Sequence, residues 1–303
     1  MIPASALEAV VSTERSSTDV VLPERGWLAR LQLGFRASED RTLLSQNRHQ
    51  GPLVVQRPFY PEANGCCHVY LVHPPGGVVG GDDLELDVRV GEAAHALITT
   101  PSATKLYRSN GATASISQRL VIERGATFEW LPQETIAFSG SIASLTTRVD
   151  LALGASFIGM EVLCLGRPAA GEHFDRGRLK QRLEIWRAGE RLLVEQLRLT
   201  GGGPELGQAW GLAGHTTLGT LVAVSGLPPE VWARRVPELV LHVREAVAPL
   251  GGLAAVTQVA GAIVCRFLGD GSRPAHAVLR RAWELVRPEL TQSPAIAPRI
   301  WAT

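Results

Sequence analysis

The sequence predicts a mainly β protein: many short, mostly antiparallel strands in packed sheets, with about two α-helices in the C-terminal third. Three observations carry this. Up to about residue 200, apolar residues recur mostly with period two, in short runs rich in Val, Ile, Leu and Thr. Gly, Pro or Ser turns separate the runs. After GGGPE (201–205) the spacing turns helical in two places.

Strands are expected at LVVQRPFY (53–60), CCHVYLVH (66–73), LELDVRV (84–90), HALITTP (95–101) and TASISQRLVIE (113–123). TFEWLP (127–132), SLTTRVDLAL (144–153) and SFIGMEVLCLG (156–166) continue the series. RLKQRLEIWRAGERLLVEQLRL (178–199) reads as a hairpin turning at Ala188-Gly189. Short turns imply antiparallel pairing, because parallel neighbours need long crossovers. PPEVWARRVPELVLHVREAVAPL (228–250) has helical spacing, which Pro237 is expected to split at Val236. AVAPLGGLAAVTQVAGAIVC (246–265) carries no charge, but its glycines and few large apolar residues argue against a membrane helix. It reads as a loop running into a buried strand, with AAVTQVAGAIVCRFLG (254–269) strand-like. In GDGSRPAHAVLRRAWELVRPEL (269–290), Ser272 suits an N-cap and Pro274 the first turn. Leu279, Trp283 and Val286 would share one face. The prolines of PAIAPRIWAT (294–303) favour an extended tail.

Residues 1–25 read as a disordered leader: Glu8, Glu14, Arg15 and Asp19 interrupt what a signal peptide would keep apolar. Residues 26–303 read as one domain, a β body to 200 with a smaller α/β part (201–303) packed on it. Net charge is +1, which provides no field to recruit nucleic acid or anionic lipid. The four cysteines, at 66, 67, 164 and 265, form no CxxC and read as free thiols of a cytoplasmic protein.

HPPGGVVGGDDL (73–84) poses the question of chemistry. Its adjacent glycines do not fit G-x-G-x-x-G or a P-loop, and its acids would repel phosphate. Ser102-Ala-Thr-Lys105 matches the S-x-x-K of acyl-transfer enzymes, whose serine and lysine meet on a helix. No K-T-G accompanies it, and the segment follows a strand. Cys66 and His68 share one strand face, Cys67 and His73 the other, and neither pair completes a structural zinc site. No closed metal cage is expected. A loosely lined path of hydroxyls and carboxylates for a hard or borderline cation stays open. G-x-S-x-G is missing. From the residues alone, a β-sheet interaction module also stands.

HPPGGVVGGD (73–82), TTPSATKLYRS (99–109) and EWLPQE (129–134), in this order, resemble the urease accessory protein UreD family, called UreH in some organisms. GWLARLQLGFR (26–36), GPLVVQRPFYPE (51–62), LCLGRPAAGEHFDRGRLKQRLEIW (163–186) and RPELTQSPAIAPRIWAT (287–303) extend the likeness from about residue 26 to the C-terminus. The resemblance implies a mostly β fold with two helices and a role that is not enzymatic. It implies a complex with UreF, UreG and apo-urease, in which the GTPase UreG delivers nickel. No cofactor would be tightly bound, nickel passing only transiently.

A passage through the protein would carry the metal. Asp82, Glu134, Glu172 and Glu195 are the expected transient ligands. Thr100, Thr104, Lys105 and Arg108 would line or shape the passage, and Gly76, Gly77, Gly80 and Gly81 would form a tight turn beside it. Such a path must hold Ni²⁺ weakly and stay wet, since full dehydration of the ion is too costly. A scaffold and an acyl-transfer enzyme differ in one cheap observation. The scaffold reading expects serine-directed acylating probes to leave Ser102 unlabelled, and stoichiometric labelling overturns it.

Overall fold

Consecutive strands of this protein mostly do not pair with each other. A computed structural model describes residues 26–302, so the expected leader lies outside the described residues. The strands are β1 (Leu28–Ala37), β2 (Thr42–Gln50), β3 (Val54–Val55), β4 (Cys67–Val72), β5 (Asp83–Val90) and β6 (His95–Thr99). Next come β7 (Thr104–Leu106), β8 (Ala114–Ile122), β9 (Thr127–Trp130), β10 (Thr135–Ala137), β11 (Ile142–Leu151) and β12 (Ser156–Leu165). The hairpin β13 (Arg178–Arg187) and β14 (Glu190–Thr200) precedes the one-turn α1 (Pro204–Gly207) and β15 (Thr217–Val224). Helix α2 (Pro229–Val247), β16 (Leu253–Val259), β17 (Ala262–Gly269) and helix α3 (Ser272–Thr291) complete the fold.

One sheet runs β14-β13-β11-β8-β5-β1-β2, the other β16-β17-β15-β12-β9-β6-β4-β3. From β4 to β13 the main strands alternate between the sheets, so each coil of chain gives one strand to each. Nine of the fifteen strand pairings among the described residues are therefore parallel, including β1/β5, β5/β8, β8/β11, β4/β6 and β6/β9. This corrects the antiparallel expectation. The short turns carry the chain to the opposite sheet, and the strand laid down there is the crossover a parallel neighbour requires.

The first core fills the space between the sheets, with Phe35, Val88, Leu120, Val149 and Phe157 among its members. A second lies between the other face of the β12 sheet and helices α2 and α3. Strand β12 is covered on both sides: Phe157 and Leu163 enter the first core, Ile158, Met160, Val162 and Cys164 the second. Such double burial explains its near-continuous apolar run.

Other local readings also need correction. Pro237 sits inside an unbroken 19-residue α2. The buried stripe Trp232, Val236, Leu239, Val240 and Val243 offsets the backbone bond that proline forfeits. Gly271, at φ 83°, caps α3 in place of Ser272, and no side chain bonds to that cap. Residues 246–265 hold the end of α2, a 3₁₀ turn and most of the β16/β17 hairpin. In LVVQRPFY only Val54–Val55 forms a strand, although Phe59 adds an isolated bridge to His68.

The β13/β14 and β16/β17 hairpins turn on Ala188-Gly189 and Ala260-Gly261, all four residues at positive φ. Two-residue hairpins of this kind favour Asn-Gly, because a non-glycine Cβ strains the left-handed region. Ala188→Asn and Ala260→Asn should each stabilise the chain by roughly 0.5–1 kcal/mol. Chemical denaturation checks this, with a raised midpoint at unchanged slope.

Candidate functional site

Three neighbouring strands of the β12 sheet break at one level. After β4 come His73–Gly77, after β6 come Thr100–Ala103, and after β9 come Leu131–Glu134. Each break holds at least one proline, Pro74 and Pro75, Pro101 and Pro132 respectively, which cannot donate to a sheet ladder. Beyond the breaks pairing resumes: Val78 bridges Leu106, and β7 pairs with β10. The result is a window in the sheet. Thr100 Oγ1 accepts the Gln133 N–H at 2.9 Å across it, and Glu134 O accepts the Thr104 N–H at 2.9 Å. Gly77 packs so tightly that a Cβ would stand 2.1 Å from the Tyr107 ring, and Gly80 likewise faces Ser109 Oγ at 2.3 Å.

Behind the window lies a cavity of about 140 Å³. Gly76, Gly77, Thr100, Ser102 and Thr104 line its outer part. Deeper in, Gln118, Thr147 and Gln181 project from the β11 sheet. They occupy the inward slots that Leu120, Val149 and Leu183 fill elsewhere on the same strands. Glu161 of β12 reaches across to them. Its Oε1 accepts from Thr147 Oγ1 at 3.0 Å and its Oε2 from Gln181 Nε2 at 2.6 Å. Burial pushes the Glu161 carboxyl above its usual range, against those two hydrogen bonds. A second cavity, of about 430 Å³, shares Glu161 and Gln181 in its wall and extends past Glu195, Arg266 and Leu253.

The expected residues fall in different places. Thr100 and Thr104 line the first cavity and Glu195 the second, where Glu195 is ion-paired to Arg266. Asp82 lines neither: its oxygens accept the Trp27 and Val79 N–H groups, each at 2.9 Å, clamping the glycine loop to the start of β1. Gly81, at φ 92°, accepts the Gly26 N–H beside it. Glu134 lies at the window's edge with its Oε2 2.9 Å from His276 Nε2 of α3. Glu172 pairs with Arg167 at 2.7 Å and accepts the Ser139 N–H. Arg108 is exposed, its stem against Gly140. Lys105 lies in β7, a strand, so Ser102 and Lys105 lack the helical turn that would align them; among the described residues no hydrogen bond joins them.

A buried charge cluster lies beneath α3, on the face of the sheet opposite Glu161. Arg287 has no exposed surface. Its Nε meets both oxygens of Glu129, at 2.9 and 3.1 Å, and its Nη2 both oxygens of Glu62, at 2.7 Å each. Trp283 Nε1 donates to Glu129 at 2.7 Å. His95 Nε2 lies 2.8 Å from Glu129 and His68 Nε2 lies 2.7 Å from Glu62. Arg287 Nη1 also donates to the carbonyl of Pro294 in the tail. Burial opposes ionisation of Glu129, but the His95 hydrogen bond and the Arg287 charge overcome it and hold the carboxyl down at about 2. Glu62 is held low in the same way by His68 and Arg287.

Sequence reading missed both Glu161 and this cluster. Glu161 left a signal, as the one acid inside an apolar strand run. Glu129, between Phe128 and Trp130, left the same signal, but its partners did not, because Glu62 in a loop, Glu129 in β9 and Arg287 in α3 are far apart in the chain.

The architecture defines a β scaffold of two sheets with a polar patch in an otherwise apolar interior, helices on one face, and, among the described residues, no helix long and apolar enough to cross a membrane. Its family is shown by comparison. The model of the UreD urease accessory protein family matches residues 28–302, and the chain belongs to that family. It is 45% identical over 278 residues to the urease accessory protein UreD of Azoarcus sp. (strain BH72), covering 92% of this chain and 95% of that one. Identity to the UreD of Citrobacter koseri is 42%, over 92% and 93% of the two chains. The Klebsiella aerogenes UreD is 41% identical over 92% and 98%.

The depressed carboxylates set an acid limit. A group whose folded pKa lies below its unfolded value stabilises above the unfolded value, here 4.5, and that stability is lost as pH falls through the folded value. The melting temperature should hold from neutral pH to about 5 and fall steadily from about 4.5 towards 2. Calorimetry across that range checks it, and an unchanged melting temperature at pH 3 refutes it.

Proposed function

We propose that this protein is a non-catalytic scaffold of urease maturation. In this reading it binds apo-urease together with UreF and UreG, and nickel crosses it between its two sheets. It works in the cytoplasm, where its four buried thiols stay reduced. One observation carries the reading: Glu161, in the wall shared by two cavities, Gln118, Thr147 and Gln181 occupy inward core slots, Glu161 bonding to Thr147 and Gln181 and Thr147 lying beside Gln118. Membership of a urease accessory family supports the urease side of it.

The chemistry suits a cargo rather than a resident ion. Carboxylate, amide and hydroxyl oxygens hold a borderline cation loosely, where a Cys/His cage would retain it. Burial makes the Glu161 carboxyl bind a proton more readily than an exposed one, and a nearby cation would act against that burial effect by favouring the charged form. Thr100 and Thr104 supply hydroxyls at the window, and Glu195 lies at the far side with its charge offset by Arg266. Asp82, Glu134 and Glu172 shape the surrounding loops, flanked by Lys105 and Arg108.

Glu161→Gln keeps the size of the side chain and removes its charge. The expected outcome is normal co-purification with UreF and urease, with a severalfold drop in the nickel content and activity of the urease produced. Full nickel loading with this variant overturns the passage.

A further inference from the structure

We propose that the free edge of β16, together with the flank of α2 beside it, is a pairing surface for a second copy of this chain, with Arg244 as its latch. The pairing does not rest on the passage. Four strands end the two sheets: β2, β14, β16 and β3. Of these, β2 carries Arg48, β14 carries Glu190, Arg191, Glu195 and Arg198, and β3 has two residues. Charge and shortness are the means by which sheets avoid pairing at an edge. Strand β16 has neither guard: LAAVTQV is seven residues long and uncharged. The two-residue turn at Ala260-Gly261 makes Val259 and Ala262 a hydrogen-bonded pair, and the alternation of an antiparallel ladder fixes the rest. Ala254, Val256 and Gln258 thus direct their N–H and C=O groups to the free side. Arg244 meets this edge from α2, its Nη2 donating to the Val256 carbonyl at 2.7 Å.

The same contact orients the helix. One flank of α2 faces α3, where Arg235 pairs with Glu289 at 3.6 Å, and the opposite flank overhangs the β16 edge. Ala233, Pro237, Leu241, Arg244 and Ala248 follow one another at helical spacing along that second flank. All five are exposed, Leu241 by 54%, and only Arg244 among them is charged. An uncharged strand edge and a mostly apolar helix stripe therefore lie side by side. A two-fold axis at Val256 covers both at once, as an isologous contact requires. Strand meets strand antiparallel, with Val256 opposite its own copy and Ala254 opposite Gln258 of the second chain. Helix meets helix along the stripe. The two Arg244 side chains come together near the axis, and each must release its carbonyl and turn to water. Because Arg244 is exposed, that movement needs no cavity. One strand edge and one helix flank cover roughly 400 Å² per copy, about half of a standard interface, so the pairing is reversible. Leu253 and Ala255 also wall the second cavity, so pairing sets that cavity of one copy beside the other's.

Sedimentation of the full-length chain over a range of concentrations tests this. The expected result is a reversible monomer–dimer equilibrium in the micromolar range. Arg244→Ala removes both the latch and the like charge at the axis, and should tighten the dimer about tenfold. Leu241→Glu places a carboxylate from each copy in the helix contact. Gln258→Pro removes an edge N–H that no described strand accepts. Each of these two should weaken the dimer at least about tenfold, with an unchanged circular dichroism spectrum. A wild-type chain that stays monomeric throughout, an Arg244→Ala dimer no tighter than wild type, or a dimer that neither Leu241→Glu nor Gln258→Pro weakens overturns the proposal. If Gln258→Pro fails to fold, Leu241→Glu, at an exposed position, decides alone.

Discussion

A guanidinium with no access to water sits where a loop, a strand, a helix and the C-terminal tail converge. Arg287 is tolerable there only because Glu62, Glu129 and the Pro294 carbonyl together satisfy it. Removing one partner of such a pair typically costs about 3–5 kcal/mol, because the other charge is left buried alone. That penalty fixes the height and rotation of α3 over the sheet. The same helix presents Arg280 and His276 two and three turns earlier, against Gln133 and Glu134 at the edge of the window. Trp301 of the tail stacks on Arg280 and donates to Thr99, at the end of the strand that leads into the window. The buried ion pair thus holds the frame of an opening two to three helical turns away.

The interior departs from the usual sorting of residues. Gln118, Thr147, Glu161 and Gln181 take slots that the pleat reserves for apolar side chains. Each lies within hydrogen-bond distance of another of the four, Thr147 Oγ1 standing 3.0 Å from both Gln118 Oε1 and Glu161 Oε1, and sharing its one proton between them. The apolar contacts given up are a standing loss, repaid by the large sheets on either side.

Much of this was legible in the sequence, and the unread parts share one cause. Period two exposed most strands, and Ala188-Gly189 marked its hairpin, because both signals are local. Pairing direction was not local. A two- or three-residue turn looks alike whether the next strand lies beside the last or across the core from it. Pro237 was read as a break because the stripe that holds α2 straight acts through its neighbours. Glu161 showed as an acid in an apolar run, but its meaning depended on the amides and hydroxyl of three other strands. The cluster around Arg287 needed residues 158 and 225 positions apart, a distance at which no spacing rule operates.

That last separation also has a consequence in time. A ribosome adds roughly 5–20 residues per second, so Glu62 emerges about 10–45 seconds before Arg287 exists to neutralise it. The coils that alternate between sheets can accrete one after another as they appear. Their helix-facing surface cannot close until the last tenth of the chain arrives. Until then the nascent protein carries an uncovered apolar face with two acids in it. A chain cut short in α3 before Arg287 keeps all of the described strands but loses the residue that seals them.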